Sequence, residues 1–573
     1  MAYVITQACC NDASCVATCP VNCIHPTPDE AQFATTEMLY IEPDTCIDCG
    51  ACVDACPVAA IFPNDELSES DARYAQINAN YYDKYPLRDG WKPLQPTEAK
   101  RTDLGTLRVA IVGAGPAACY AAEELLIHSD VEVEMFEKLP TPWGLIRAGV
   151  APDHPGTKVI AEAFDWTAAK DGFQFHLGVE IGKHLTHEDL LANHHAVIYA
   201  VGASGDRRLD IPGEDLPGSH AATEFVAWYN GHPDYANARF DLSGERAVIV
   251  GNGNVALDVA RVLTMNVDEL AKTDIADHAL EALRHSNIRE VVLLGRRGPA
   301  QAAYSTPEFL ALGDLAGVDV VLDPAELELD EATAGQLARG ELEPSTAFKV
   351  RLAREFSERT TDPDHKRIVF RYLASPTAVL GADSADAVTV VRNELVAGDH
   401  GTLSARPTGA TETVPASLVL RSIGYRGVPV PGVPFDERRG TIPNDRGRVL
   451  TSPDGSVLDG VYATGWIKRG PSGVIGTNKS CAKDTVARLL EDFQAGRLVR
   501  PVGNRKELTK LVGQRQPDRI DYRGWRAIDA AERSRGAATG RPRVKFTDAD
   551  QMLAAARSRR RAVSLASITS NIS

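Results

Sequence analysis

The sequence predicts an α/β protein in which two Rossmann-like dinucleotide-binding domains follow a small, cysteine-rich α+β domain. Two stretches predict the large domains, because residues 108–126 and 246–261 each read as a short apolar strand, a GxGxxA turn and a helix. A third observation predicts the small domain, since nine of the eleven cysteines precede residue 57. In a chain that we expect to be cytosolic, such clustered cysteines indicate metal ligands rather than disulfides.

Length, composition and charge limit the possible classes of protein. The 573 residues suffice for about three domains of roughly 150 residues each. We expect a cytoplasmic protein without a membrane partner, because no run of about 18 apolar residues is free of Gly, Pro and charge, and the start lacks a basic signal region. The net charge of −17 argues against nucleic acid as a partner. Residues 1–65 hold six Asp, three Glu and no Lys or Arg, and so carry −9 of this charge.

The clearest motif of the small domain is an iron–sulfur run. Cys46, Cys49, Cys52 and Cys56, followed by a proline, match the spacing C-x2-C-x2-C-x3-C-P at every position. In that arrangement the first three thiolates bind one cubane cluster, and the fourth reaches the other cluster. A structural zinc site is the alternative, but zinc motifs usually pair two CxxC knuckles and need no proline.

An imperfect copy of this motif precedes it, with Asp12 where its second cysteine would be. The cross-over rule then predicts one complete 4Fe–4S cluster and one cluster that lacks a thiolate. The incomplete cluster is expected to be 3Fe–4S, or a 4Fe–4S cluster whose fourth iron is held weakly by the Asp12 oxygen. The predicted ligands are Cys19, Cys46, Cys49 and Cys52 for the complete cluster, and Cys9, Cys15 and Cys56 for the incomplete one.

Residues 3–62 as a whole resemble the seven-iron bacterial ferredoxins. The resemblance rests on the two motifs and implies a bacterial-type ferredoxin domain that carries electrons. Two further cysteines of this region, Cys10 and Cys23, lie outside the motifs. We interpret both as small buried residues.

The first large domain is predicted to bind a dinucleotide at Gly113-Ala-Gly115. Gly113 makes the tight turn, Gly115 lets the backbone approach the pyrophosphate, and the following helix presents free N–H groups. Glu137 ends the next strand, at the distance along the chain where a carboxylate accepts hydrogen bonds from ribose hydroxyls. Such a carboxylate suits an unphosphorylated ribose, which favours FAD or NAD over NADP.

The second large domain repeats the turn, but its second strand ends without an acidic residue. Arg296 and Arg297 stand there instead, and two guanidiniums can bind a 2′-phosphate. The domain is therefore predicted to select NADP over NAD, with a solvated basic turn as the alternative. The candidate NADP-binding residues of the turn itself are Asn252, Gly253, Asn254 and Val255.

The segment after the second strand of the first domain resembles the adrenodoxin-reductase family of FAD-dependent, NADPH-linked ferredoxin reductases. Glu137, a Pro-Trp-Gly-Leu-Ile-Arg segment and Ala-Pro-Asp-His154 follow one another in the order of that family. The resemblance extends over residues 107–550. It implies that His154 lies near the flavin and the ferredoxin-docking face, and that Glu308 contacts the nicotinamide-side ribose. It also implies an FAD site lined by Gly113, Gly115, Ala117, Glu137, Leu145, Val179, Trp466, Gly473, Val474 and Ile475, with Gly473 shared by NADP.

The FAD-binding domain is predicted to consist of two separate segments of the chain, with the NADP-binding domain between them. The whole arrangement is similar to that of the mycobacterial fused ferredoxin–ferredoxin reductases. The linker is expected to contain a short helix and to pack on one of its neighbours, and the chain is expected to be disordered from Ser558. The predicted parts are the ferredoxin domain (1–65), a linker (66–106), the first part of the FAD domain (107–210), the NADP domain (211–421), the second part of the FAD domain (422–490) and a C-terminal helical extension with a tail (491–573).

The predicted cofactors imply a path for electrons. NADPH delivers two electrons together, an iron–sulfur cluster takes one at a time, and a flavin can do both. The resemblance therefore implies a ferredoxin–NADP reductase with its own ferredoxin. Its partners would be NADPH, its own ferredoxin domain, and a free ferredoxin or a downstream acceptor such as a cytochrome P450. His154 is the candidate catalytic residue, with a structural role in its loop as the alternative.

Two other enzyme classes compete with this interpretation. A disulfide reductase with two Rossmann domains needs a cysteine pair near the flavin, but Cys119 and Cys481 form no CxxC motif. An electron-input subunit similar to the small subunit of glutamate synthase would have a different iron–sulfur spacing and would copurify with a large synthase. A non-enzymatic carrier with a vestigial body is hard to reconcile with two intact nucleotide turns.

Basic residues near the predicted flavin segments could meet the acidic ferredoxin domain. Opposite charges of this kind steer and orient docking more than they add affinity. The alternative is a solvated basic surface. The residues are Arg147, Lys158, Lys468, Arg469, Lys479 and Lys483.

Overall fold

The structure is a computed structural model that describes residues 2–87, 106–398, 403–498, 501 and 503–558. The predicted disordered tail lies outside the described residues from residue 559 onward. No helix within the described ranges is long and apolar enough to cross a membrane. The fold class is as predicted, with two dinucleotide-binding sheets and a small N-terminal α+β domain.

The small domain is built on two short antiparallel strand pairs. Its elements are β1 (Tyr3–Ile5), α1 (Ser14–Thr18), β2 (Ile24–His25), β3 (Tyr40–Ile41), α2 (Ala51–Ala55), β4 (Ile61–Pro63) and α3 (Arg73–Lys84). β1 pairs with β4, and β2 pairs with β3. Asn78 of α3 joins the pairs, because its amide oxygen accepts hydrogen bonds from the N–H groups of Ile5 and Ile41. α3 thus packs on the small domain, although it lies in the predicted linker, of which residues 88–105 are outside the described residues.

The large domains contain the remaining strands and helices. Residues 107–206 form β5 (Leu107–Val112), α4 (Pro116–Leu125), β6 (Val131–Glu137), α5 (Leu145–Ala148), α6 (Pro155–Lys158), α7 (Ile160–Ala168), β7 (Phe173–Leu177), α8 (His187–Asn193), β8 (Ala196–Tyr199) and β9 (Gly205–Asp206). Residues 219–426 form β10 (Ser219–Ala221), α9 (Ala222–Tyr229), β11 (Arg246–Val250), α10 (Asn254–Thr264), α11 (Val267–Leu270), α12 (Asp277–Arg284), β12 (Glu290–Leu294), α13 (Thr306–Leu312), β13 (Val318–Leu322), α14 (Glu331–Ala338), α15 (Pro344–Ser357), β14 (Lys366–Arg371), β15 (Ala374–Leu380), β16 (Ala387–Ala397), β17 (Leu403–Pro415), β18 (Leu418–Arg421) and β19 (Tyr425–Arg426). Residues 444–537 form β20 (Asn444–Asp445), β21 (Arg448–Leu450), β22 (Val457–Ala463), α16 (Trp466–Arg469), α17 (Thr477–Gln494), α18 (Arg505–Arg515) and α19 (Tyr522–Ala537).

Two sheets position the predicted nucleotide turns. The first has the order β20-β21-β22-β8-β5-β6-β7 and is parallel from β22 to β7. The second has the order β10-β18-β11-β12-β14-β13 and is parallel throughout. A separate antiparallel sheet contains β15, β16 and β17. Each glycine turn follows a central strand, β5 or β11, at the carboxyl edge of its sheet, where such folds bind nucleotides.

The C-terminal segment ties the two nucleotide domains together. Arg541 donates a hydrogen bond to the carbonyl of Thr273 in the second domain. Lys545 is buried and donates to the Asn230 amide oxygen and to the carbonyl of Arg147 in the first domain. This segment therefore helps to fix the relative position of the two domains.

Candidate active site

The first glycine turn has the shape of a dinucleotide cradle. Gly113 has a φ of +100°, and a Cβ there would lie 2.5 Å from the Ala200 carbonyl oxygen, so glycine is required. Gly115 caps α4, and a Cβ on it would have no atom within 4 Å. The N-terminal end of α4 is therefore open to the phosphates of a ligand.

Glu137 stands at the end of β6 beside this turn. Its carboxylate accepts hydrogen bonds from the N–H groups of Ala114 (2.9 Å) and Leu139 (3.0 Å), and burial raises its pKa. Val179 is buried and donates its N–H to the Glu137 carbonyl (2.8 Å). The acid is thus held at the edge of the turn, where ribose hydroxyls bind in this fold.

The second glycine turn repeats this geometry. Gly251 has a φ of +117°, and a Cβ there would collide with the Ser422 carbonyl oxygen. Gly253 caps α10, and a Cβ on it would again have no atom within 4 Å. Asn254 begins the helix and accepts a hydrogen bond from the Ser305 N–H at 2.7 Å. The N-terminal end of α10 is therefore a second open anion site.

The predicted 2′-phosphate residues follow β12 beside this second turn. The Asn393 side chain donates to the carbonyl of Arg296, and the Leu373 N–H donates to that of Arg297, so the backbone is fixed. The side chain of Arg296 is exposed and that of Arg297 is half-buried. Within the described part of the chain, neither guanidinium makes an ion pair. Both are therefore available to a phosphate.

The other predicted NADP-binding residues surround the same turn. A Cβ on Gly295 would come within 2.6 Å of the Asn252 amide nitrogen, so that side chain packs on the end of β12. Val255 lies in the first turn of α10 and packs partly buried against the core. Glu308 lies on α13 and joins the polar network described below.

The predicted flavin segment of residues 461–479 lies against α4. A Cβ on Gly465 would be 2.5 Å from the Ala117 Cβ, so this glycine brings the two segments into contact. Trp466 lies beside Tyr425, with 5.2 Å between ring centroids, and donates its indole N–H to the Ser472 carbonyl. The two predicted FAD-binding segments are therefore adjacent.

The rest of this segment leads into α17. Gly473 is exposed with a φ of +77°, and the Val474 carbonyl accepts a hydrogen bond from the Thr477 hydroxyl. Ile475 is partly buried against the core of the first domain. Leu145 begins α5 and is 37% exposed. Gly473 and Leu145 are therefore exposed to solvent, whereas Val474 and Ile475 are partly buried.

A polar network joins the two nucleotide domains at His154. Arg261 of α10, only 2% exposed, donates to Asp153 (2.8 Å), Glu308 (2.7 Å) and Asp258 (2.7 Å), and its Nη2 lies 3.0 Å from His154 Nδ1. His154, Asp258 and Glu308 have the spacing of a metal site, but the guanidinium already supplies the positive charge there. Three carboxylates therefore depend on one buried cation.

Burial and Arg261 have opposite effects on the acids of this network. Burial raises the pKa of Asp258 to about 6, against the attraction of Arg261. Burial also acts to raise the pKa of Asp153, but Arg261 and His154 outweigh it, and that pKa is lowered. Sequence reasoning selected His154 and Glu308 but missed the other three residues. The available signal was the pairing of Asp258 and Arg261 three residues apart on the helix after the glycine turn.

The small domain brings the four predicted ligands of the complete cluster together. They line one cavity, which Tyr3 and Cys23 also line. Cys23 is buried, as predicted, and its Sγ lies 3.4 Å from that of Cys19. The four ligands in this cavity are Cys19, Cys46, Cys49 and Cys52.

The ligands predicted for the incomplete cluster also lie close together. Burial, followed by the charges of Cys9, Asp12 and Cys56, raises the pKa of the Cys15 thiol. Asp12 is not free, because its carboxylate accepts from the Ser14 N–H and lies 3.2 Å from the Lys479 Nζ. The carboxylate predicted as a weak iron ligand is thus held by the large domain.

The small domain contacts the predicted flavin segment through the loop of residues 9–12. The Gly476 N–H donates to the Cys10 carbonyl at 2.7 Å. A Cβ on Gly476 would collide with the backbone of residues 10–12, so the approach requires glycine. Cys9 and Cys56 pack against the same apolar cluster as Ile475. Two of the three ligands predicted for the incomplete cluster therefore pack on the side of the flavin segment.

A second contact joins the small domain to the NADP domain. Glu37 accepts hydrogen bonds from Lys349 Nζ (2.8 Å) and from the Thr306 N–H (2.7 Å), and Lys349 is only 7% exposed. At the edge of this contact, Arg73 makes a bidentate ion pair with Glu355. A third contact reaches the first large domain, where Gln7 Nε2 lies 3.4 Å from His154 Nε2.

Three of the six residues predicted for the basic docking patch pair with acids of the large domain instead. Arg147 pairs with the buried Glu532, Lys158 with Asp274, and Lys468 with Asp484. Lys479 meets the ferredoxin domain, at Asp12. Because acids of the large domain itself neutralise the first three cations, their sequence proximity to the flavin segment was misleading. Lys349, which does bind the small domain, lies on α15, far along the chain from that segment.

The cysteines of the large domains do not form a redox pair. All cysteines of the described chain are free. Cys119 is buried and points to the Ala114 carbonyl, whereas the Cys481 sulfur accepts a hydrogen bond from the Gly465 N–H. Each thiol thus supports one of the predicted FAD-binding turns, which argues against the disulfide reductase.

The fold and the site define a two-domain pyridine-nucleotide oxidoreductase with an attached iron–sulfur module. The family model described as "Pyridine nucleotide-disulphide oxidoreductase" matches residues 107–293, and the "4Fe-4S binding domain" model matches residues 39–62. A "Probable ferredoxin/ferredoxin--NADP reductase" of Mycobacterium tuberculosis is 53% identical over 568 residues, which cover 97% of this chain and 95% of that protein. The chain belongs to the ferredoxin/ferredoxin–NADP reductase family.

The large part of the chain is also similar to proteins without the N-terminal module. "NADPH-ferredoxin reductase FprA" of Mycobacterium tuberculosis is 48% identical over 460 residues, covering 78% of this chain and 98% of FprA. The solved structure "Mycobacterium tuberculosis FprA in complex with NADPH" has a TM-score of 0.74 and 47% identity, and covers 79% of this chain and 99% of that chain. The predicted family resemblance is confirmed.

Proposed function

We propose that the chain is a ferredoxin–NADP(+) reductase that transfers electrons between NADPH and ferredoxin through FAD, with its own iron–sulfur domain as the first ferredoxin. The proposal is carried by the contact of residues 9–12 with Gly476, because it joins predicted cluster ligands to the predicted flavin segment. When bound, FAD exchanges electrons in pairs with NADPH and singly with an iron–sulfur centre.

The two glycine turns fit the two nucleotides. The open end of α4 with Glu137 suits the unphosphorylated ribose of FAD, and the open end of α10 with Arg296 and Arg297 suits NADPH. His154 and Glu308 lie where the two domains meet, and Arg261 orients both. We therefore assign His154 to the reacting ends of the nucleotides and Arg261 to positioning.

The cysteine sets fit one complete and one incomplete cluster. The cavity lined by Cys19, Cys46, Cys49 and Cys52 suits a 4Fe–4S cluster, because four thiolates can bind its four irons. The other set offers three thiolates and suits a 3Fe–4S cluster, since Lys479 holds the carboxylate of Asp12. Beyond these clusters, we propose a free ferredoxin or a haem protein such as a cytochrome P450 as the final acceptor.

The proposed function is tested by NADPH-dependent reduction of ferricyanide and cytochrome c. The full-length protein is assayed together with its flavin and iron content. We expect bound FAD, reduction of both acceptors by NADPH, and much slower reduction by NADH. Loss of both activities in protein with full cofactor content would refute the proposal. A large synthase that copurifies with the chain would instead favour the electron-input subunit.

Replacing Asp12 with cysteine should add one iron to the incomplete cluster. A thiolate is a softer and stronger ligand for cluster iron than a carboxylate that is paired with Lys479. We expect the three-iron EPR signal of the air-oxidised protein to disappear and its iron content to rise. Asp12→Asn is the matched control and should keep the signal. A wild-type protein that is EPR-silent when oxidised and already holds the full iron content would contradict the assignment.

Electron transfer within the intact chain should be nearly independent of salt. A tether provides an effective concentration in the millimolar range, whereas free partners lose steering when the Debye length falls to about 8 Å. A protease site inserted in residues 88–105 allows cut and uncut protein to be compared. Stopped-flow reduction by NADPH, followed at the cluster absorbance, should slow with salt in the cut protein. If both forms respond alike, the attached domain does not take electrons from its own flavin domain.

A further inference from the structure

We propose that the small domain docks an electron-accepting protein with a basic surface at the face around Ile47 and Cys49. We call this surface the outer acidic face and define it by Ile47 and Cys49 with Asp44, Asp48, Asp65 and Glu66. The proposal rests on the proposed function, because the face delivers electrons only if the domain carries clusters. It adds the place where electrons leave the chain and the charge of the partner.

The docked position gives the small domain an inner and an outer side. On the inner side, the backbone of Cys10 is bonded to Gly476, and Cys9 and Cys56 pack against the first large domain. On the outer side lies Cys49, the single exposed cysteine among the seven predicted ligands, all of which are described. The ligand set of the complete cluster therefore reaches solvent at Cys49, whereas Cys9 and Cys56 of the incomplete cluster pack against the large domain.

The charges of the two sides differ in the same way. On the inner side, Asp12 pairs with Lys479, and Glu37 pairs with Lys349. On the outer side, the exposed acids Asp44, Asp65 and Glu66 make no ion pair within the described ranges. No Lys or Arg occurs in residues 1–65 to neutralise them. These three acids thus leave negative charge uncompensated on the outer face, which attracts and steers a basic partner.

An exposed apolar residue lies between Asp44 and Asp48 in the chain. The side chain of Ile47 is 58% exposed, and Cys49 follows two residues later. Tyr3 and Gly50 line the adjoining cavity, with the Tyr3 hydroxyl 3.2 Å from the place of a Gly50 Cβ. An apolar centre with a charged rim is the anatomy of a protein–protein contact. Nucleic acid, an anionic membrane and the same face of a second copy would all be repelled by the acids.

Cytochrome c, a basic haem protein, is the probe for this surface. We compare the full-length protein with Asp65→Lys/Glu66→Lys, which reverses two rim charges outside the cysteine motifs. Asp454→Lys/Asp459→Lys changes the charge equally at exposed positions of the large domain and is the matched control. Calorimetry measures binding of oxidised cytochrome c to the oxidised proteins at low salt. We expect about tenfold weaker binding for the rim variant and no change for the control.

Reduction kinetics separate this proposal from the proposed function. With NADPH, the rim variant should reduce cytochrome c more slowly and lose most of its salt dependence. Its ferricyanide rate, iron content and EPR spectrum should remain at wild-type values, because the flavin and the clusters are untouched. Equal binding and equal cytochrome c rates in all three proteins would overturn the outer face and leave the reductase function intact. A wild-type protein that does not reduce ferricyanide with NADPH would instead overturn the proposed reductase function.

Discussion

The Michaelis constant for NADPH should rise at least about hundredfold when Arg296 and Arg297 are both replaced by alanine. Each charge-assisted hydrogen bond to a phosphate contributes about 1.5–3 kcal/mol, and about 1.4 kcal/mol corresponds to a factor of ten. The turn itself should keep its shape, because Asn393 and Leu373 hold the two backbone carbonyls. Steady-state kinetics with NADPH and NADH measure the effect.

The comparison between coenzymes decides whether the arginine pair selects the phosphate. The Michaelis constant for NADH should change little, because NADH has no 2′-phosphate. Arg284→Ala/Arg289→Ala removes two exposed guanidiniums from the same domain and should leave both constants near the wild-type values. An equal loss for NADPH and NADH would contradict the assignment of Arg296 and Arg297.

Replacing Arg261 with methionine should destabilise the protein by about 3–5 kcal/mol. Removal of one partner from a buried ion pair leaves the other charge uncompensated, and Arg261 serves Asp153, Asp258 and Glu308 together. For a domain of the size of the NADP domain (residues 211–421), such a loss lowers the midpoint temperature of unfolding by roughly 10 °C. Differential scanning calorimetry of the full-length protein would record the shift. Arg261→Lys keeps a charge at the site and should recover part of the loss.

The loss of stability caused by Arg261→Met should depend on pH in a defined direction. The pKa of Asp258 is already raised to about 6 by burial, and loss of the guanidinium should raise it further. A carboxyl with a raised pKa binds its proton in the folded state, so the folded variant gains stability as pH falls through that pKa. The deficit should therefore be largest above about pH 7 and smaller near pH 5. A deficit that is the same at both pH values would point to lost packing rather than to unpaired charge.

The nucleotide turns were predictable because their determinants are local in sequence. Gly113 and Gly251 follow apolar strands directly, and their positive φ values are required wherever a strand turns into a helix in this way. Arg296 and Arg297 were equally local, since they end the strand that follows. The cysteine spacings belong to the same class, because the loop that holds a cluster is only a few residues long.

The remaining features depend on contacts between distant parts of the chain. The charge network combines Asp153 of one domain with Arg261 and Glu308 of the other. The sequence around each of these residues does not indicate which distant residue it pairs with. Three of the predicted docking cations were wrong for the same reason, because a buried acid such as Glu532 can neutralise Arg147 without any sequence signal. The helix at residues 73–84 was expected to pack on a neighbour but was not assigned to the small domain, because its buried face is formed largely by tyrosines.

The close approach at Gly476 makes the evolution of two parts of the molecule interdependent. The backbone of residues 10–12 occupies the space that any side chain at position 476 would need. A mutation on either side can therefore be tolerated only if the other side accommodates it. In this chain both sides are encoded by one reading frame, so they are transmitted together and synthesised in a one-to-one ratio. A reductase and a ferredoxin on separate genes would have to maintain the same fit through independent mutation and independent expression.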